Sequence, residues 1–260
     1  LSAARSRAAD DGIIQIACLH SPAEDAGYVL PLASDESRML HQYSSDVLEV
    51  TGVHLTAASA LSAMKKASHI HVACHALYVA DIPAQSGLML SYGERLTLTR
   101  LWAEGIDQFD IRLAFLSCCE SGMTGRTLDS DEFTGLPAAF LQLGVGGVIA
   151  AQWAVFDDAA RVFADGFYRR YLNGEAPTRK NSARALAETR HWFRQVTLKE
   201  LLEQNYLTPQ QATELFPAPR AHRLRRFDPA PQTPDNFWET SDRPLDLGFR
   251  PYENACHWAA

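Results

Sequence analysis

The stretch "IRLAFLSCCESGM" (111–123) is the most apolar strand candidate in the chain, and it ends abruptly in a polar turn. A short apolar run of this kind, bounded by turn residues, is typical of a strand that is buried in a parallel sheet. The runs "GIIQIACL" (12–19), "HIHVACH" (69–75) and "VGGVIAAQWAV" (145–155) have the same character. These four runs predict a mainly parallel sheet.

Helical segments separate the predicted strands. Amphipathic or alanine-rich patterns predict helices over 35–52, 56–67, 98–105, 133–144, 157–174 and 177–195. A hairpin is predicted around "YGE" (92–94), and the capping boxes Thr197/Glu200 and Thr208/Gln211 predict two more short helices. Strands that alternate with helices through 12–195 indicate an α/β sandwich.

Composition excludes several classes of protein. The chain has 260 residues, a net charge of −7 and 21% charged residues, which argues against direct nucleic-acid binding. The chain has no run of 18 apolar residues, so no membrane span is predicted. Five scattered cysteines, with no CxxC pair, favour a reducing, cytoplasmic compartment over a disulfide framework. Because the chain starts without methionine or a signal peptide, we expect it to be part of a longer protein.

The organisation of the chain changes after the last long helix. We expect a core over 1–195, a helical and Pro/Arg-rich insert over 196–250, and a returning core strand over 251–260. The stretch 217–244 holds six prolines, which exclude regular structure, and four arginines at 220, 223, 225 and 226. This arginine cluster is either a solvated loop or a docking or self-cleavage site.

Two reactive side chains stand at the ends of predicted strands. His75 ends the strand over 69–75, and Cys119 ends the strand over 111–119. The residues between them suit a crossover that sets the two strands side by side, so the imidazole and the thiol are expected to meet. An imidazole makes the reactive thiolate accessible, and the backbone N–H groups of Ala76 and Cys119 can stabilise an oxyanion. This arrangement predicts cysteine-dependent acyl transfer, above all peptide cleavage.

The remaining cysteines and histidines of these strands have simpler explanations. Side chains alternate along a strand, so Cys118 and Cys74 point away from Cys119 and His75 and are expected in the core. His69, His71 and His75 share one strand face, where a zinc site is conceivable. Since no fourth ligand is suggested nearby, no metal is predicted, and His69 and His71 are expected to be ordinary hydrogen-bonded residues.

Several motifs resemble the CHAT family of caspase-like cysteine peptidases, which is related to separase and the metacaspases. They are "HVACHA…QSGLML", "LAFLSCCESG", "GLPAAFLQLGVGGVIAAQWAVFDDAA" and "FYRRYLNG", and the resemblance resumes at "RPYENACHWAA". The family's usual His-Gly is His75-Ala76 here, and Cys118 takes the alanine position of its "Leu-Ser-Ala-Cys-Glu-Thr-Gly". The resemblance implies a caspase-like three-layer α/β/α sandwich, with Cys119 as nucleophile and His75 as its partner.

The resemblance also implies a substrate pocket and a mode of regulation. Glu120, Asp157 and Asp158 are the acids that can line a pocket for Arg or Lys, although the two aspartates also fit a helix N-cap and first turn. The loop 123–132 is expected to be mobile and to order on activation. The implied partners are a protein substrate and a regulatory module, either tetratricopeptide repeats or a nucleotide- or RNA-sensing assembly.

We therefore predict a cysteine endopeptidase that needs no cofactor and serves bacterial antiviral defence, CRISPR-associated systems included. Two alternatives remain at this point. One is an inactive CHAT-like interaction or scaffold domain. The other is a Cys–His acyltransferase or hydrolase that acts on a small molecule.

Overall fold

The structure is a computed structural model that describes residues 14–20, 30, 32–77, 79, 81–104, 109–118, 125–126, 133–151, 155–172, 179–216 and 247–253. The chain divides into two compact units. The larger comprises Leu1–Arg194 with Asn254–Ala260, and the smaller comprises Gln195–Glu253. Each unit is described on its own below.

Within the described residues, the helices and strands follow the alternating order expected of an α/β protein. The strands are β1 (Gln15–His20), β2 (Asp46–Thr51), β3 (His69–Ala73), β4 (Ala76–Leu77), β5 (Gly87–Met89), β6 (Arg95–Thr97), β7 (Leu113–Leu116), β8 (Gly125–Arg126), β9 (Phe133–Thr134) and β10 (Val148–Ala150). The helices are α1 (Ala33–Leu40), α2 (Ala57–Met64), α3 (Leu98–Ala103), α4 (Leu136–Gln142), α5 (Asp157–Tyr171), α6 (Arg179–Gln195), α7 (Leu198–Glu203) and α8 (Pro209–Leu215).

Five of the described strands form the central sheet of the larger unit, in the order β10-β7-β3-β1-β2, and all four pairings are parallel. The sheet grows in one direction from β1 to β2 and in the other from β1 to β3. Such a reversal opens a crevice at the carboxyl ends of the strands, where α/β proteins bind their ligands. The end of β3 lies at this crevice.

Helices cover both faces of the sheet, so the larger unit has three layers. One face packs against α2, α3 and α4 through small and aliphatic side chains: Ala17, Leu19, Ile70, Val72, Ala114 and Leu116. The opposite face packs against α1 and α5 and is more polar and aromatic: Ile16, Cys18, His69, His71, Leu113 and Phe115. The predicted α/β/α sandwich with a mainly parallel sheet is confirmed.

The helix predicted over 35–52 is wrong in its second half. Helix α1 ends at Leu40, and residues 46–51 form the edge strand β2. The Ser44 hydroxyl donates to the Ile14 carbonyl at 2.7 Å and accepts from the Asp46 N–H at 3.1 Å, which diverts the chain out of the helix. Pairing with β1 then overrides the helical spacing of Met39 and Tyr43.

The other predicted elements of the larger unit form, with shorter bounds. Strands β5 and β6 make the predicted antiparallel hairpin, and they extend to a three-stranded sheet through β4, which the sequence analysis missed. A short antiparallel pair, β8 with β9, was also missed. The apolar face predicted for α5 is buried at Phe163, Phe167 and Tyr171.

The smaller unit is built on the two predicted capping boxes. In both, the Thr side chain accepts from the N3 backbone N–H while the N3 side chain accepts from the Thr N–H, at Thr197/Glu200 and at Thr208/Gln211. Phe216 packs against Phe249 and Tyr252 at ring-centroid distances of 6.0 and 5.8 Å. The stretch 217–246, with its arginine cluster, and most of the expected strand over 251–260 lie outside the described residues, and Pro251 and Tyr252 form a turn.

Candidate active site

The strands that precede the two predicted catalytic residues lie side by side. Strand β3 pairs in parallel with β7, in a register that matches Val72 with Leu116. The segments that follow β3 and β7 therefore leave the sheet at the same edge. His75 follows the end of β3 by two residues and is half-buried. Cys119 follows the end of β7 by three residues and lies outside the described residues.

Hydrogen bonds to β5 hold the backbone around His75. The Met89 N–H donates to the His75 carbonyl at 2.8 Å, and Ala76 pairs with Leu88. Hydrogen-bonded and non-hydrogen-bonded pairs alternate in an antiparallel ladder, so the Ala76–Leu88 pair is of the non-hydrogen-bonded kind. The Ala76 N–H is therefore directed away from β5, as an oxyanion donor requires. Alanine in the place of the family's glycine keeps this N–H.

The described cysteines are buried and unsuited to nucleophilic attack. Cys74 is fully buried and Cys118 is 2% exposed, both in the aliphatic face of the sheet, which confirms their predicted core role. Burial raises the pKa of Cys118 well above its usual range and that of Cys18 to about 12. The thiols of Cys18 and Cys118 are therefore protonated at neutral pH.

A buried carboxylate links the two strands beneath this edge of the sheet. Glu36 of α1 accepts a hydrogen bond from His71 Nε2 at 2.7 Å and another from the Ser117 hydroxyl at 3.0 Å. His71 is in turn hydrogen-bonded through Nδ1 to the Tyr168 hydroxyl at 3.3 Å. The sequence analysis missed Glu36, because an acidic residue in the first turn of an amphipathic helix is usually solvent-exposed.

The other strand histidine is also hydrogen-bonded on both ring nitrogens. His69 contacts the Ser68 hydroxyl at 2.9 Å and the Tyr171 hydroxyl at 3.0 Å. Burial lowers the pKa of His69 to about 3, so its ring is neutral at physiological pH. The prediction that His69 and His71 are ordinary hydrogen-bonded residues is confirmed. Within the described part of the chain, no group of three potential ligands is arranged to hold a metal ion.

The predicted pocket aspartates open helix α5. Both lie in its first turn, and Phe156 takes the N-cap position. The Asp157 carboxylate accepts from the Leu32 N–H at 2.9 Å. Burial, assisted by the charges of Glu36 and Asp158, raises the pKa of Asp157 to about 6, although the hydrogen bond from the Leu32 N–H opposes this rise.

Three other parts of the predicted site lie largely outside the described residues. Glu120 lies outside the described residues, and so does the predicted mobile loop 123–132 apart from β8. The "QWA" stretch at 152–154, between β10 and α5, also lies outside them.

The described part of the chain contains no helix with both the length and the apolar character needed to cross a bilayer.

Comparisons with known proteins bear on the family. One similar solved structure is a complex of Porphyromonas gingivalis RgpB pro- and mature domains, at 12% identity and a TM-score of 0.39. The alignment covers 71% of this chain and 44% of that one, so this chain spans less than half the length of that protein. No curated protein matches. The family described as CHAT domain matches residues 4–260. That match covers nearly the whole chain, which therefore belongs to the CHAT family.

Proposed function

We propose that this chain is a cysteine endopeptidase domain in which Cys119 is the nucleophile and His75 the general base. The observation that carries the proposal is the parallel pairing of β3 with β7, because these strands lead directly to the two residues. Two further observations support it. The Ala76 N–H is directed away from its ladder, and the described thiols are all buried.

The proposed reaction has two steps. His75 takes the proton of the Cys119 thiol, and the thiolate attacks the carbonyl carbon of the scissile peptide bond. The N–H groups of Ala76 and Cys119 stabilise the oxyanion, and its collapse breaks the C–N bond while His75 protonates the leaving amine. Water, deprotonated by His75, then hydrolyses the thioester, and the proton returns to the Cys119 sulfur.

An electrophilic peptide tests this assignment. A chloromethyl ketone peptide is incubated with the wild-type chain, with Cys119→Ala and with the matched control Cys118→Ala, and the labelled residue is identified by mass spectrometry. We expect labelling of the wild type and of Cys118→Ala, and none of Cys119→Ala. An unlabelled wild type supports the inactive scaffold. A third outcome is a labelled wild type whose cleavage of co-expressed proteins is unchanged by Cys119→Ala. That outcome supports a small-molecule enzyme.

We propose that Asp157, with Asp158 and Glu120, favours Arg or Lys before the scissile bond. The half-buried carboxylate of Asp157, in the first turn of α5, supports this proposal. Because its pKa is raised to about 6, the preference for basic residues is expected to grow as the pH rises through that value. Profiling a peptide library at both sides of this pH, with Asp157→Asn as comparison, tests it. A preference for acidic or apolar residues contradicts it.

The biological context of the proposal comes from the family. We propose a protein substrate and control by an attached or partner module, either tetratricopeptide repeats or a nucleotide- or RNA-sensing assembly, in bacterial antiviral defence in the cytoplasm. The net charge of −7 favours a partner, and not this chain, as the nucleic-acid sensor. Co-purification from its native host followed by mass spectrometry tests this part, and a stable complex with no sensor protein contradicts it.

A further inference from the structure

Glu36 is a buried acid that the proposed chemistry does not use. Its side chain is 2% exposed and contacts His71, whose side chain is fully buried. Removing a carboxylate from water is costly unless its oxygens are hydrogen-bonded, and both oxygens of Glu36 are. The hydrogen bonds with His71 and Ser117 therefore fix the position of the Glu36 side chain, and Glu36 in turn restrains these two residues.

The two partners of Glu36 come from the two strands that lead to the proposed catalytic pair. His71 lies in β3, four residues before His75, and Ser117 directly follows β7, two residues before Cys119. One carboxylate group therefore bridges β3 and the residue that follows β7, with Oε2 on His71 and Oε1 on Ser117.

The rest of the network holds the other side of the His71 ring. The buried Tyr168 hydroxyl lies 3.3 Å from His71 Nδ1 and is hydrogen-bonded to it. The His71 ring also stacks on Phe115 of β7, with ring centroids 5.4 Å apart. His71 therefore has a single orientation, set from both sides.

We propose that Glu36 is a positioning residue for the catalytic pair: by bridging His71 and Ser117 it sets the distance between the His75 imidazole and the Cys119 thiol. This inference rests on the proposed function. Neither Glu36 nor its partners need touch the substrate. Their effect is on the geometry of the dyad, and a displacement of about 1 Å in such a site can cost about 100-fold in rate.

Glu36→Gln is the decisive variant, with Glu49→Gln as its matched control. The glutamine has nearly the volume of glutamate, but its NH₂ group cannot accept a hydrogen bond, so one of the two strands is released. Glu49 is also hydrogen-bonded, to Ser37 and to His41, but it lies on the edge strand β2, away from β3 and β7. The same chemical change there leaves the dyad untouched.

Two measurements separate positioning from simple loss of stability. The first is kcat and KM for a peptide substrate, and the second is the rate of Cys119 alkylation by iodoacetamide against pH. For Glu36→Gln we expect kcat to fall about 30-fold with little change in KM, and the apparent thiol pKa to rise by about one unit. For Glu49→Gln we expect wild-type values.

Each outcome either supports or overturns the positioning role of Glu36. A folded Glu36→Gln with wild-type kcat and alkylation profile overturns the positioning role and leaves the proposed function intact. A wild-type chain whose Cys119 is not alkylated faster than an ordinary thiol overturns both. If Glu36→Gln fails to fold, Ser117→Ala removes only one hydrogen bond, and its alkylation profile must shift in the same direction. A wild-type profile for Ser117→Ala then overturns the proposal.

Discussion

Gly87, the first residue of β5, lies too close to β6 for any side chain. A Cβ atom added there would lie 2.4 Å from the Leu96 carbonyl oxygen and 2.8 Å from the Thr97 Cα. Real Cβ contacts essentially never fall below 3.0 Å, so Gly87→Ala must separate the two strands by at least 0.6 Å. The atoms in the way belong to the backbone, so we expect the free energy of unfolding to fall by about 2 kcal/mol.

The displacement should also reach the candidate site, because Met89 of the same strand donates to the His75 carbonyl. We expect a melting temperature lower by about 4 to 8 °C and kcat/KM lower by about tenfold. Calorimetry and a peptide-cleavage assay measure the two effects. Gly147→Ala is the control, since its Cβ would make only ordinary contacts, with the Leu113 Cδ1 atom at 3.6 Å and the Arg112 carbonyl oxygen at 4.0 Å. A Gly87→Ala variant as stable and active as this control would refute the argument.

Two other predictions follow from the structure. Because burial raises the pKa of Asp157 to about 6, the folded chain binds this proton more tightly than the unfolded chain, and the stability contribution is lost as the pH rises through that value. In Asp157→Asn the amide oxygen still accepts from the Leu32 N–H. This variant should therefore melt at a higher temperature than the wild type at about pH 7.5, and at the same temperature near pH 4. A difference in melting temperature that does not depend on pH would contradict this. Thr197→Ala removes the capping box of α7 and should destabilise that helix by about 1 kcal/mol, seen as faster amide hydrogen exchange over 198–203. Thr213→Ala, inside α8, should leave exchange in α7 unchanged, and equal exchange in both variants would rule out the capping role.

Local patterns were sufficient to predict most elements of the fold. The capping boxes at Thr197 and Thr208 formed as expected, because their hydrogen bonds join residues three apart in the chain. The hairpin of β5 and β6 formed because its paired residues are also near in the chain, from Met89 with Arg95 to Gly87 with Thr97. The helix over 35–52 failed where a distant strand intervened: residues 46–51 pair with β1, and no local pattern contains that partner.

The candidate site divides in the same way. The alternation of side chains along a strand correctly assigned Cys74 and Cys118 to the core. The burial of Glu36 and its hydrogen bond from Ser117 could not be derived, because both depend on where α1 lies against the sheet. A first-turn acid looks the same in sequence whether it faces water or the core.

The sequence by itself determined the kinds of element, their order, and the two residues that stand at strand ends, because periodicity and side-chain chemistry are local properties. The chain length between β3 and β7 predicted that they are neighbours, and their parallel pairing confirms it. Only the tertiary structure decided that a carboxylate from α1 joins them. The physical reason is that the chain must bury the sheet on both faces. The resulting contacts join Glu36 to Ser117 across 81 residues, a distance that no local pattern encodes.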